Sequence, residues 1–253
     1  MFHVAAYQAS IANDNALHQL TGILDAIMRQ SGNGLQVNPA LTKIGSLWVV
    51  GNSAVRVQVQ SQSLRSQPFP TFQPVNIGTA NENPPRDADL WDYPLQLAAY
   101  EECDIFAAQN NATTAETQTA FVVFTDGALG GVSGNLLRAH FTASTTLNAN
   151  AWSAIVPAFD QALRVGTYAI VGGWVRSAGG LAWRVVPASG TPFRPGGMMT
   201  QAADGMIPQW QRPGRLGAWM QFDSLTPPEL ELFSGSADTA EDGELYLVPL
   251  QLR

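Results

Sequence analysis

The chain has 253 residues, 45% hydrophobic and only 13% charged, with a formal net charge of −7. That apolar content argues against a disordered chain, which needs high charge and low apolarity. The acidic balance and the absence of any Lys/Arg run argue against direct nucleic-acid binding, which requires a basic face.

The length suits two domains better than one. Lys43 is the only lysine, so the surface is covered largely by uncharged polar and small residues. Such a surface suits burial against other copies, because interface cores are depleted in charge. Cys103 is the only cysteine; it excludes an intrachain disulfide and a Cys-based metal site, and reads as a packed core thiol. MFHVAAYQAS at the start lacks the charged and apolar regions of a secretory signal. No apolar run approaches the ~20 residues of a transmembrane helix.

Residues 2–10 alternate loosely and read as a strand. Asn13, Asp14 and Asn15 then supply N-cap chemistry. From Ala16 to Gln30, Leu17, Leu20, Leu24, Ile27 and Met28 share one helical face. Asp25 and Arg29 stand four apart on that predicted helix and can pair, and Gly32 closes it as a C-terminal cap. Trp48-Val49 opens a hairpin that turns at Gly51-Asn52-Ser53 and returns through Val55-Arg56-Val57. Pro68-Phe69 leads into an irregular segment, 72–92, rich in Gly, Pro, Asn and Asp. Trp91 marks the return to strand. Asp104 to Phe124 is a second hairpin: an apolar run, a polar loop and another apolar run.

The second half repeats this order. Arg138 to Thr145 is a strand-like run, and Asn150 stands where Asn15 stood. Trp152, Ile155, Phe159 and Leu163 take the places of Leu17, Leu20, Leu24 and Met28, and Asp160 and Arg164 those of Asp25 and Arg29. Pro157 departs from the pattern, since a proline inside a helix kinks it or delays its start. Trp174-Val175 opens the matching hairpin, which returns through Trp183-Arg184-Val185. Pro192-Phe193, the irregular segment 194–214 and Trp219 follow. Glu231 to Pro249 closes the half as Asp104 to Phe124 closed the first, with Thr239-Ala240-Glu241 on Thr114-Ala115-Glu116. Those two triplets read as strand-opening positions.

An unbroken series of matched landmarks implies a tandem duplication. The expected units are residues 1–127 and 137–253, joined by a Gly-rich linker, 128–136. No segment alternates strand and helix as βαβ units do. The expected fold class is mainly β: two antiparallel, jelly-roll-like sandwiches with one helix each. The alternative is a pair of α+β layers, each with its helix across one sheet.

Candidate chemistry is sparse. Asp87, Asp89 and Asp92 alternate as calcium ligands do, but lack the rest of a known calcium loop. They are weak metal candidates, and no cofactor is implied. His3 and His140 occupy matched first strands and suggest a structural role in the repeat. A cupin-type centre, which would need two histidines and a carboxylate within one copy, is not expected. Glu101, Glu102, Glu116 and Glu241 have no partner base in the sequence. The sequon Asn111-Ala112-Thr113 is without meaning unless the chain is secreted. Trp48, Trp91, Trp174 and Trp219 form repeat-matched pairs and read as core, as does Trp152. Exposed aromatics within 70–93 or 194–212 would point instead to a sugar-binding face, with Trp210 the residue to test.

Two units of similar length, with long loops in equivalent places and a hairpin closing each, resemble the double jelly-roll major capsid proteins of icosahedral viruses, including tailless phages with a membrane inside the shell. The resemblance implies two barrels per chain and trimers forming pseudo-hexagonal capsomers. It implies further copies and other virion proteins as partners, and synthesis in the host cytoplasm before incorporation into the capsid. The chain shows no basic N-terminal arm, so contact with genome would be indirect, through a membrane or another protein. A tandem β-sandwich binding module, carbohydrate- or receptor-binding as in a phage tail component, is the alternative. An enzyme with a site assembled from both halves ranks third.

Overall fold

The computed structural model describes residues 1–25, 27–51, 53–65, 71–72, 87–110, 114–128, 130–188, 190–200, 207–239 and 241–252. Asn52, Pro68-Phe69, the sequon 111–113, Ala240 and parts of both irregular segments lie outside them. The chain divides into two units, Phe2–Gly127 and Ala128–Arg253.

In the first unit the strands are β1 (Phe2–Ile11), β2 (His18–Gln19), β3 (Thr21–Gly22), β4 (Arg29–Ser31), β5 (Gly34–Gln36), β6 (Lys43–Val50), β7 (Ala54–Ser61), β8 (Thr71–Phe72), β9 (Ala88–Asp89), β10 (Leu95–Gln96), β11 (Glu102–Gln109) and β12 (Glu116–Thr125). They form two sheets, ordered β10-β6-β12-β1-β3 and β4-β5-β11-β7-β8, with β9 added to β6 and β2 to β11. The long pairs are antiparallel, from Phe2 opposite Thr125 to Ile11 opposite Glu116 along β1 and β12.

The second unit contains β13 (Leu137–Ala143), β14 (Ala151–Ile155), β15 (Ala158–Phe159), β16 (Gly166–Arg176), β17 (Gly180–Val186), β18 (Gly196–Met198), β19 (Met220–Asp223), β20 (Glu229–Ser234) and β21 (Glu241–Leu252). Its sheets run β15-β13-β21-β16-β19 and β14-β20-β17-β18. Take the eight principal strands of each unit in chain order, leaving out β2, β3, β4 and β9 in the first and β15 in the second. Both units then read sixth-third-eighth-first in one sheet and second-seventh-fourth-fifth in the other. This is a jelly-roll-like order, in which the first and last strands lie side by side and successive strands alternate between sheets except for the fourth and fifth, which pair as a hairpin.

Apolar residues of both sheets fill each sandwich. In the first unit Tyr7, Leu47, Trp48, Phe121 and Ile105 are fully buried, and Trp48 stacks on Phe121 at 5.2 Å between ring centroids. In the second, Phe141, Ile170, Leu245, Leu247, Leu232 and Trp183 are fully buried. Trp183 lies 5.6 Å from Trp219, which lies 6.3 Å from Trp210. The chain leading into this unit is packed down rather than loose. Val132 lies on the cluster of Ala169, Val171, Tyr246 and Val248, and Ala218 N–H donates to Gly130 O at 2.8 Å. Gly217 makes this possible: its φ is +68°, and a Cβ there would meet the Gly130 carbonyl.

Neither predicted helix forms. Residues 16–30 hold β2, β3 and the start of β4, and residues 150–164 hold β14 and β15. The reason is where the backbone donors go. Leu20 N–H donates to Ile105 O and Ile23 N–H to Ala6 O, both at 2.8 Å, so neighbouring strands take bonds that a helix would make internally. Along Ala151–Ile155 every residue pairs with β20. Pro157 has no N–H to donate and biases Val156 toward extended backbone.

The asparagines that looked like N-caps serve another property of that residue. Asn15 and Asn150 have φ of 57° and 59°, the left-handed region that Asn tolerates better than most residues. Each then donates its N–H to the last residue of the seventh strand, Gln109 and Ser234. Gly32, at φ 61°, turns the β4–β5 hairpin instead of capping a helix. Asp25 and Arg29 therefore do not pair along a helix face. The regular helical pieces among the described residues are two single 3-10 turns, Gln62–Leu64 and Gln209–Gln211. The α+β alternative is overturned with the helices, since among the described residues no helical layer covers any of the sheets.

Candidate functional site

The three loop aspartates are engaged locally. Asp87 Oδ2 accepts from Ser46 Oγ at 2.9 Å. Asp89 belongs to β9, paired with β6, and its Oδ1 accepts from Trp91 N–H at 3.2 Å. Asp92 is exposed in the following turn. Among the described residues no group of three or more His, Cys, Asp or Glu side chains could hold a metal ion. The glutamates are tied to backbone in the same way. Glu101 accepts from Ser63 N–H, Ser63 Oγ and Ala98 N–H, and Glu102 from Gly34 N–H. Glu116 and Glu241 are the first residues of β12 and β21.

Cys103 is fully buried, and burial pushes its thiol up to about 12, so it is not a nucleophile at neutral pH. Trp48, Trp183 and Trp210 are fully buried, and Trp91 and Trp219 nearly so. Trp152 and Trp174 are half-buried. Trp210 thus has no face to offer a sugar. Tyr93 is the exposed aromatic in the first window, at 88%.

Each histidine sits against an aspartate. His18 Nε2 lies 2.8 Å from Asp14 Oδ1 at the surface. His3 Nε2 lies 2.8 Å from Asp25 Oδ2, with side chains 0% and 4% exposed. His140 Nδ1 lies 2.7 Å from Asp160 Oδ2, with side chains 40% and 56% exposed. The last two pairs are the same pair in the repeat, tying the first strand of each unit to the segment after the short strand, β3 or β15, that pairs with it.

In the second unit that pair opens into a polar face. Strand alternation points Arg138 and His140 of β13, Asp242 and Glu244 of β21, and Trp174 and Arg176 of β16 the same way. Register places His140 opposite Glu244, Glu244 opposite Trp174 and Asp242 opposite Arg176. Arg176 grips Asp242 with two hydrogen bonds of 2.8 and 2.7 Å. Glu244 Oε2 accepts from Arg138 at 2.8 Å and from Trp174 Nε1 at 3.0 Å. These groups satisfy one another and are partly wet, so solvent screening leaves each pair little to contribute to stability. They form a specific polar surface with no nucleophile in it.

The other sheet carries a more deeply buried ionic group. Arg184 is 1% exposed, with its guanidinium 3.9 Å above the Trp152 ring. Glu231 sits opposite on β20 and accepts from Arg184 Nε at 2.6 Å and from Arg194 Nη1 at 2.9 and 2.8 Å.

Glu241, 3% exposed, is unusual. Its Oε2 accepts from Thr145 N–H at 3.4 Å, and its Oε1 has no partner. Burial holds its carboxyl above the usual carboxylate range; the Thr145 N–H offsets this in part, and Asp238 adds to it. A carboxyl whose folded value exceeds its unfolded one gains a proton on folding. Its contribution is therefore most favourable at acid pH and is lost as pH rises through the folded value. Glu241→Gln is expected to raise stability at pH 7, by on the order of 1 kcal/mol, and to flatten the decline above pH 5. Urea unfolding of wild type and variant at pH 4.5 and pH 7 reads this directly. A variant less stable than wild type at pH 7 refutes it.

Apolar exposure is concentrated at one end of the second unit. Its exposed large apolar residues are Leu136, Leu137, Val156, Val165, Leu225, Leu250 and Leu252. All lie where β13 begins, β14 ends, β16 begins, β19 passes to β20 and β21 ends. Among the described residues no exposed large apolar side chain stands at the opposite end, where β13 passes to β14 and β16 to β17. No helix among the described residues is long and apolar enough to cross a membrane.

No protein-family model and no curated protein matches this chain. One solved structure is similar: the major capsid protein P2 of bacteriophage PM2. The two are 12% identical, with a TM-score of 0.26, over 99% of this chain and 98% of that one.

Sequence reading missed the Arg184–Glu231–Arg194 group and the polar face. The available signal was alternation: Arg138/His140, Trp174/Arg176 and Asp242/Glu244 each stand two apart within a strand. What alternation lacks is the knowledge that β21 lies between β13 and β16.

Proposed function

We propose that this chain is a structural subunit of an icosahedral virus or phage shell, a double jelly-roll capsid protein that assembles as trimeric, pseudo-hexagonal capsomers. The observation that carries this reading is the single strand order found in both tandem units. A chain with two like sandwiches lets three copies present six similar edges, which tile a closed surface with one gene product. The low charge of 13% fits a surface that spends its life against other copies. The charged side chains of the polar face on β13, β16 and β21 are spent on one another, as a scaffold requires. Its partners are then further copies and other virion proteins, with genome and any internal membrane reached indirectly, and its location is the virion capsid.

Light scattering of the purified chain in moderate salt tests the reading. The expected mass is three times the 27.1 kDa of one chain, or a large closed particle. A chain that stays monomeric at high concentration overturns it. The tandem binding module has one observation in its favour: Tyr93 and Tyr100, 88% and 65% exposed, offer apolar faces to a sugar. Glycan binding lost on Tyr93→Ala would select that reading.

A further inference from the structure

We propose that the second unit binds an anionic single-chain amphiphile, a long-chain carboxylate, in a groove at its apolar end. The groove has a volume of about 520 Å³ and runs between residues 135–140 at the start of β13 and residues 160–164, with Tyr168, Pro249 and Leu252 closing it. That volume falls within the ~300–1,000 Å³ usual for small-molecule sites. The inference does not depend on the shell reading.

Three observations select the ligand. Part of the wall is apolar and open to solvent: Leu136, Leu137 and Leu252 are 47%, 38% and 48% exposed, and Leu163 is half-buried beside them. Covering such carbons with an alkyl chain gains about 25 cal/mol per Å² removed from water. Two of the three formally charged side chains lining the groove are arginines, although the chain carries −7. Arg138 and Arg164 line it, and the one lining carboxylate, Asp160, is already held by His140 Nδ1 at 2.7 Å. Arg164 is exposed and has no side-chain partner among the described residues, so its guanidinium can take a carboxylate head in two-point contact. Arg138, by contrast, is committed to Glu244 at 2.8 Å, which offsets its charge, so Arg164 is the free donor.

On the groove's β15-facing side, β13 is paired only at Phe141 and Thr142. Leu137, Arg138 and Ala139 therefore have no ladder partner there, and the groove runs beside an uncovered strand edge. Head and tail are thus recognised by different parts of one groove. Neither part alone selects a ligand; together they require an acyl chain with an acid at one end.

Isothermal titration of the intact protein with laurate, below its micellar concentration, tests this. The expected result is one saturable site per chain, absent with acetate, and at least tenfold weaker with 1-dodecanol. Arg164→Glu, a change at an exposed loop residue, is expected to weaken laurate binding at least tenfold while leaving the circular dichroism spectrum unchanged. Leu137→Ser, with the head contact intact, should weaken it severalfold. The proposal is overturned by no saturable heat, by equal affinity of wild type and Arg164→Glu, or by binding only above the micellar concentration. Particles in which another copy seals the groove against laurate would also overturn it, and mass measurement on the same sample identifies that outcome.

Discussion

Glu231→Ala is expected to destabilise the second unit by about 3–5 kcal/mol, among the largest losses available to a single substitution in this chain. The carboxylate is 16% exposed and is shared by two arginines, Arg184 at 1% and Arg194 at 18%. Removing it takes the carboxylate away from the Arg184 charge, which stays in the sheet face above the Trp152 ring. The ring recovers on the order of 1–2 kcal/mol of cation–π attraction, too little to offset the desolvation of a guanidinium that has lost its carboxylate. Replacing both members of the cross-strand pair, Arg184→Met with Glu231→Leu, should recover most of the loss, because no buried charge then remains. Urea unfolding followed by tryptophan fluorescence reports on this unit through Trp152 and Trp183. A loss below about 1 kcal/mol for Glu231→Ala would mean that Arg184 escapes to water when freed, and the buried-charge argument would fail.

The repeat is the part of this fold that the amino-acid order reveals most clearly. Trp48 and Trp174 fall on β6 and β16, third strands of their units. Ile105-Phe106 and Leu232-Phe233 fall on the seventh strands, β11 and β20, and Glu116 and Glu241 open the eighth. Matched residues could be placed because equivalent strands need equivalent apolar faces. Sheet order was not legible, since it depends on pairing between residues as distant as Phe2 and Thr125. The helix error has a definite source. Apolar residues three and four apart mark a helix only if the backbone bonds to itself, and here β1, β11 and β20 take those bonds. The Asp25/Arg29 and Asp160/Arg164 spacing was real but misread. Each aspartate had a repeat-matched partner, His3 and His140, and those are the partners the sheets bring to it.

That pair, written twice in different surroundings, gives the second large expected effect. Asp25→Ala is expected to cost the first unit about 3–5 kcal/mol, as loss of one member of a buried ionisable pair does. His3 and Asp25 are 0% and 4% exposed, so water cannot replace the lost partner. Asp25 Oδ1 also accepts from the N–H groups of Ile27 and Met28, at 3.0 and 2.9 Å, so its removal frees two backbone donors beside the buried Met28. Asp160→Ala removes the matching partner of His140, where both side chains are wet at 40% and 56% exposure. Its cost should stay within about 1 kcal/mol. Urea midpoints for the two variants compare the pairs: the hydrogen-bond lengths are nearly equal, 2.8 and 2.7 Å, through Nε2 of His3 and Nδ1 of His140, while burial and the two backbone N–H groups held by Asp25 set the first pair apart. Equal losses would place the energy in the pair itself and refute the argument from burial. A large loss for Asp25→Ala alone would mean that the duplicated pair acts as a structural clasp in the first unit. In the second unit the same two residues would then be free to serve the surface.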